Sequence, residues 1–133
     1  MLHQFDLKLL FALFFACCSL TAAKGQDKLN VAIAGLSHDH IYLIMNSYQK
    51  GEVNIVGIAE ADTVLVQRFK KLYQLADHLF YHDLKTLLQK HKPDAVLAYN
   101  AINDHLSVVE EAAPLGIAVM VEKPLAVTVK QAE

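Results

Sequence analysis

The chain has 133 residues, 54% of them hydrophobic and 20% charged, with 12 Lys and Arg set against 14 Asp and Glu for a formal net charge of −2. That length suits one domain. The charge balance offers no basic footprint for a nucleic-acid backbone or an anionic membrane surface, so neither is an expected partner.

The first segment reads as a targeting signal. An uninterrupted apolar run from Leu9 to Cys18 follows Lys8 and leads into Ser19-Leu20-Thr21-Ala22-Ala23, the positive, apolar, small-residue order of a secretory signal peptide. Such a run rises only about 15 Å as a helix, half the hydrocarbon core of a bilayer. Residues 1–23 are therefore expected to be a signal peptide cleaved after Ala23, residues 24–28 a short polar lead-in, and residues 29–133 an exported domain. Both cysteines, Cys17 and Cys18, lie inside the signal, so the mature domain has no disulfide and depends on packing. Phe14-Phe15-Ala16-Cys17 is a loose lipobox, which makes a lipid anchor at Cys17 the alternative fate of this segment.

The remainder alternates short apolar runs with stretches of helical period. Residues 29–36 (LNVAIAGL) are too few for a helix and reach Gly35, which predicts a buried strand. Ile41, Ile44, Met45 and Tyr48 then recur at helical spacing up to Gly51, a residue suited to a left-handed helix stop. Residues 53–59 (VNIVGIA) predict a second strand. Leu65, Phe69, Leu72 and Ala76 predict the buried stripe of a second helix, with Arg68, Lys70 and Lys71 on its wet side. A weak strand near residues 78–81 precedes Asp83, the expected cap of a helix carrying Leu84, Leu87 and Leu88. After Pro93, residues 94–99 (DAVLAY) predict a fourth strand, residues 103–115 a fourth helix closed by Gly116, and residues 117–121 (IAVMV) a fifth strand. Pro114 is tolerable because that helix is already ending.

Strands joined by helical crossovers must run parallel and be covered on both faces, so the expected fold is α/β, a doubly wound parallel sheet. Ligands on such sheets bind beyond the carboxyl ends of the strands at the topological switch point. The loops there contain the unusual residues. Gly35-Leu36-Ser37-His38-Asp39-His40 stands where a G-x-G-x-x-G dinucleotide fingerprint would be and matches only its first glycine. The chemistry of that motif is a tight turn into a helix whose free N–H groups receive a pyrophosphate. Ser37 is small and can donate a hydrogen bond, whereas His40 is bulky and is expected to loosen the contact between helix and strand. Glu60 follows Gly35 at roughly the spacing of the acid that accepts from an adenosine ribose, about 20 residues. A carboxylate there repels a 2′-phosphate and favours NAD over NADP.

The last strand runs into Glu122-Lys123-Pro124 and then Leu125-Ala126, with His105 upstream in the fourth helix. Through these residues, residues 29–133 resemble the nucleotide-binding Rossmann domain of the Gfo/Idh/MocA oxidoreductases. The resemblance implies an NAD(P)-dependent enzyme that transfers hydride with a sugar, polyol or related hydroxyl substrate. Its cofactor-binding positions would be Gly35, Leu36, Ser37, His38, Glu60, Asn100, Ala101, Glu122 and Pro124. Gly35 would face the pyrophosphate, Glu60 the ribose, and the turn Tyr99-Asn100-Ala101 the nicotinamide; in the family that turn usually reads Ala-Thr-Pro, so Asn100 and Ala101 are departures. Lys123 would be the catalytic group that reaches the reactive hydroxyl. The resemblance also implies a second, antiparallel domain with the substrate pocket, an acid/base histidine and contacts for an oligomer. Thr128-Val129-Lys130-Gln131 opens a helix by its capping-box spacing, and the sequence stops at Glu133 before that second domain, as a fragment would.

Two readings from other classes compete. One is a non-catalytic module that holds a nucleotide or sugar. The other is a divalent-metal site built on His38 and His40, with His105 nearby. His78, His82 and His91 read as polar residues at the ends of helices and strands.

Overall fold

A computed structural model describes residues 27–133. The expected signal peptide, its cleavage point and Cys17 lie outside them. Five strands, β1 (Asn30–Ala34), β2 (Asn54–Ala59), β3 (Phe80–Tyr81), β4 (Ala95–Ala98) and β5 (Ala118–Val121), alternate with α1 (Ile41–Gln49), α2 (Thr63–Tyr73), α3 (Leu84–Lys90) and α4 (His105–Ala112), and a short α5 (Val129–Ala132) follows. The sheet order is β3-β2-β1-β4-β5 and every neighbouring pair is parallel. This is the expected Rossmann-like sheet, with β1 central and the strand order reversing between β1 and β4. No helix among the described residues is long and apolar enough to cross a membrane.

The alternation within β1 creates two unlike faces. Val31 and Ile33 point into a core of large side chains with Ile41, Met45, Ile58 and Phe69, beneath α1 and α2. Ala32 and Ala34 point the other way, into a core with Ala59, Ala98, Ala112 and Leu87, beneath α3 and α4. Small residues bring those two helices close, and Gly57 takes this to its limit: a Cβ there would lie 2.8 Å from Leu87 Cδ1. A register shift opposite Val31/Ala32 inserts Val56 as an extra residue in β2, so Ile55 and Ile58 share one face although they are three apart.

Helix boundaries follow the expected chemistry, with three departures. Asp83 caps α3 by accepting from Thr86 N at 2.7 Å, Gly51 and Gly116 adopt positive φ after their helices, and Thr128 with Gln131 closes a reciprocal capping box. The second helix, however, stops at Tyr73, because Gln74 takes a left-handed conformation at φ 54°. Its buried stripe is Leu65, Phe69 and Tyr73, while Leu72 is 54% exposed. Full burial of Phe69 is worth about 1.5–3 kcal/mol, a contribution that Leu72 largely forgoes. The fourth helix is shorter than expected, residues 102–104 and 113–115 forming 3₁₀ turns on either side of α4, with Pro114 in the second of them. Its ring removes a donor from the last turn, which a 3₁₀ segment tolerates.

Two glycines of equal φ class separate strain from crowding. Gly35 (φ +85°) would place a Cβ 2.5 Å from Asn100 Cβ, whereas a Cβ at Gly116 (φ +71°) meets nothing within 4 Å. Gly116→Ala is expected to cost about 1–2 kcal/mol from the left-handed backbone alone, and Gly35→Ala about 2–5 kcal/mol because a clash adds to it. Urea unfolding of both variants checks this; equal losses would contradict the crowding.

Candidate functional site

The chain leaves β1 through a turn whose polar groups are tied to the ends of two neighbouring strands, β2 and β4. Gly35 N donates to Ala59 O at 2.8 Å at the end of β2. Leu36 N donates to Glu60 Oε2 at 2.8 Å, and the same carboxylate accepts from Asp62 N through Oε1 at 2.8 Å. Ser37 N and His38 N both donate to Tyr99 O, at 3.1 and 2.9 Å, and Ser37 Oγ adds a third donor at 3.3 Å. The amides expected to stand free for a pyrophosphate are thus turned onto the end of β4. Ile41 N and Tyr42 N are likewise taken by His38 O and Asp39 O. The turn folds back over β4 because Gly35 lets Asn100 approach to a distance that no side chain would permit.

Around this turn lies an open groove of about 520 Å³ at the carboxyl ends of β1, β2 and β4. It brings together Gly35, Ser37, Glu60, Asn100 and Ala101 of the expected set. Leu36 is not in it, being 3% exposed within the core beneath α1 and α2. Asp104, Ser107 and Glu111 also line it, along one face of the chain entering α4, together with Asp62, His82 and Asp83. The sequence does not single out Asp62, Asp104, Ser107 or Glu111, although the spacing 104-107-111 is a helical stripe, and it marks Asp83 and His82 only as a helix cap and an element-end polar residue. Among the described residues, no Lys or Arg lines the groove. Asn100 Oδ1 and Glu111 Oε2 are buried there and accept no hydrogen bond among the described residues.

A second cluster lies apart from the groove lining. His40 Nδ1 is 3.0 Å from Glu122 Oε1, and one ligand atom each of His38, His40 and Glu122 lies within 4.8 Å of the others. His105, expected near this pair of histidines, is not in the cluster: it opens α4 with its ring 1% exposed and neither nitrogen bonded among the described residues. The bulk of His40 does not loosen α1 either. Its side chain is 45% exposed, and Ile41 and Met45, at 1% and 0%, make the contact with the sheet instead. Burial opposes the charge on Glu122, but the hydrogen bond from His40 and the charges of His40 and His38 prevail and hold its carboxyl below the usual value. Burial, and then the Glu122 charge, push the Tyr99 phenol up. Lys123 and Pro124, joined by a cis peptide, are exposed and do not line the groove.

Sheet order, switch point and groove define a dinucleotide-binding Rossmann domain. The chain belongs to the Gfo/Idh/MocA family: the model of that oxidoreductase family's NAD-binding Rossmann fold matches residues 29–133. No curated protein matches the sequence. Among solved structures, an oxidoreductase from Agrobacterium radiobacter, in complex with NAD⁺, L-tartaric acid and magnesium, is similar with a TM-score of 0.68 and 20% identity over 79% of this chain and 30% of that one. The WlbA dehydrogenase from Chromobacterium violaceum, in complex with NADH and UDP-GlcNAcA, has a TM-score of 0.66 and 17% identity over 78% of this chain and 30% of that one. The apo scyllo-inositol dehydrogenase from Lactobacillus casei has a TM-score of 0.66 and 18% identity, over 80% and 31%. The chain thus spans about a third of the length of these structures.

Glu60 at the switch point fits the ribose of NAD, while the turn amides that would meet its pyrophosphate are committed to Tyr99 O. Each Glu60 oxygen accepts a single protein hydrogen bond, which leaves a lone pair on each for a ribose hydroxyl. Asn100 Oδ1 offers a buried acceptor without a partner among the described residues.

The Glu122 shift makes a pH prediction. Its folded pKa lies below the unfolded value near 4.5, so the stabilisation is complete above that value and is lost as pH falls through the folded one. Glu122→Gln should therefore flatten the fall in stability on acidification from about pH 5 to about pH 3. Denaturant midpoints across that range check it, and parallel slopes for both proteins would contradict it.

Proposed function

We propose that this chain is the cofactor half of an exported oxidoreductase that transfers hydride between NAD and a hydroxyl of a sugar or polyol. One observation carries the reading: the groove that joins Gly35, Glu60 and Asn100 and the Glu122-Lys123-Pro124 turn both lie at the carboxyl edge of one parallel sheet. Export rests on the apolar run Leu9–Cys18, with a lipid anchor at Cys17 as the alternative fate of that segment.

Glu60 performs two tasks in this reading. It pins the turn through Leu36 N and Asp62 N, and its remaining lone pairs receive the ribose hydroxyls. Preference for NAD comes from the lining as a whole. Glu60, Asp62, Asp83, Asp104 and Glu111 repel an added 2′-phosphate, and among the described residues no Lys or Arg of the groove answers it. Bound NAD supplies the hydride acceptor. Lys123 holds its ammonium at the exposed edge of the sheet, where a substrate hydroxyl reaches it from solvent. A cation there speeds reaction only if it binds the developing alkoxide more strongly than the neutral alcohol. The substrate walls come from a further domain, in proportion to the greater length of the similar structures.

Three variants test the reading. Glu60→Ala should weaken NAD binding by calorimetry and narrow the gap to NADP; retention of both wild-type affinities would remove Glu60 from the site. In a form with its substrate domain, Lys123→Ala should lower kcat roughly 10²-fold while the NAD dissociation constant hardly changes. Lys123→Arg should fail as well, since a planar fork does not replace a compact ammonium. Weaker NAD binding at unchanged kcat would place Lys123 in the cofactor site instead.

A further inference from the structure

The β1–α1 turn and the end of β5 are remote in sequence, yet they bring two imidazoles and one carboxylate within 4.8 Å of one another. We propose that His38, His40 and Glu122 bind a divalent first-row transition ion of the zinc class. The donor set selects the ion: imidazole nitrogens with a single carboxylate suit zinc and its neighbours, whereas magnesium and calcium require mainly oxygen. The spacing agrees. Two donors on a tetrahedral zinc ion stand about 3.3 Å apart, and His40 Nδ1 and Glu122 Oε1 are already 3.0 Å apart. The third donor is prepared, because His38 Nδ1 accepts the His40 backbone N–H at 3.2 Å and so carries a lone pair. Exchanging that long bond for a metal bond needs no change of tautomer at His38, whereas His40 releases to solvent the Nδ1 proton that it donates to Glu122.

The side chain of His40 is 45% exposed and that of Glu122 14%, so the ion enters from solvent and retains a position for water. Three protein ligands with one open position is the pattern of reactive rather than purely structural zinc sites. The ion ties the turn after β1 to the Glu-Lys-Pro turn, one residue from Lys123. None of its three residues lines the groove.

The test is a titration of the chelator-treated full chain with Zn²⁺ by calorimetry and with Co²⁺ by visible absorption. Wild type should bind Zn²⁺ and not Mg²⁺. His38→Ala and Glu122→Gln should weaken binding by at least the ~10–100-fold that loss of an outer-sphere partner alone costs, and His78→Ala should leave it unchanged. His38→Ala preserves the His40–Glu122 contact, and circular dichroism verifies its fold, so its loss of binding reports the site and not unfolding. Failure of the wild type to bind Zn²⁺, or equal affinity in His38→Ala, would overturn the proposal. So would a near-ultraviolet thiolate-to-cobalt band, which would place the ion on Cys17 and Cys18.

Discussion

Three donors converge on the carbonyl of Tyr99, and they do so because nothing but hydrogen occupies the side-chain position of Gly35. The approach of Asn100 Cα to within 2.6 Å of where a Cβ at residue 35 would stand locks the end of β4 against the turn after β1. With Ser37 N, His38 N and Ser37 Oγ all committed to Tyr99 O, the turn has a single direction in which to leave the sheet. Glu60 braces it from the other side, through β2. The two strands flanking the switch point thus hold the turn between them, and Gly35, Ser37, Glu60 and Asn100 are placed by that grip.

The turn then divides its side chains between two chemistries. Gly35 and Ser37 look onto the acidic groove, whereas His38 and His40 gather at Glu122. The first environment has five carboxylates and no Lys or Arg, and favours hydroxyls and neutral donors over additional phosphate. The second pairs imidazoles with a carboxylate whose ionisation they favour. A six-residue segment that lacks the second and third glycines of the fingerprint has exchanged backbone amides for side-chain donors and acceptors.

Much of this was legible in the sequence because the signals were periodic. The alternation of β1 and the i, i+4 stripe of Ile41 and Met45 assign faces without a structure. Gly51, Asp83, Gly116 and Thr128 mark boundaries by chemistry that depends only on adjacent residues. What escaped was set by contacts between remote segments. Gln74 ends α2 in a left-handed conformation that its residue type does not announce, and the helix turns Leu65, Phe69 and Tyr73 to the core and leaves Leu72 on the surface. The commitment of the loop amides to Tyr99 O and the exposure of His40 are tertiary facts. So is the partnership of His40 with Glu122, two residues 82 apart in number that meet only because β1, β4 and β5 are neighbours.

The central claim is that the groove at this crossing receives NAD. Amide hydrogen exchange of the full chain with and without saturating NAD tests it most directly. The account predicts that added protection concentrates at residues 35–38, 60–62 and 99–101, where the turn, the acid and the end of β4 meet. Protection that falls elsewhere on the sheet, or none at all at millimolar NAD, would contradict it.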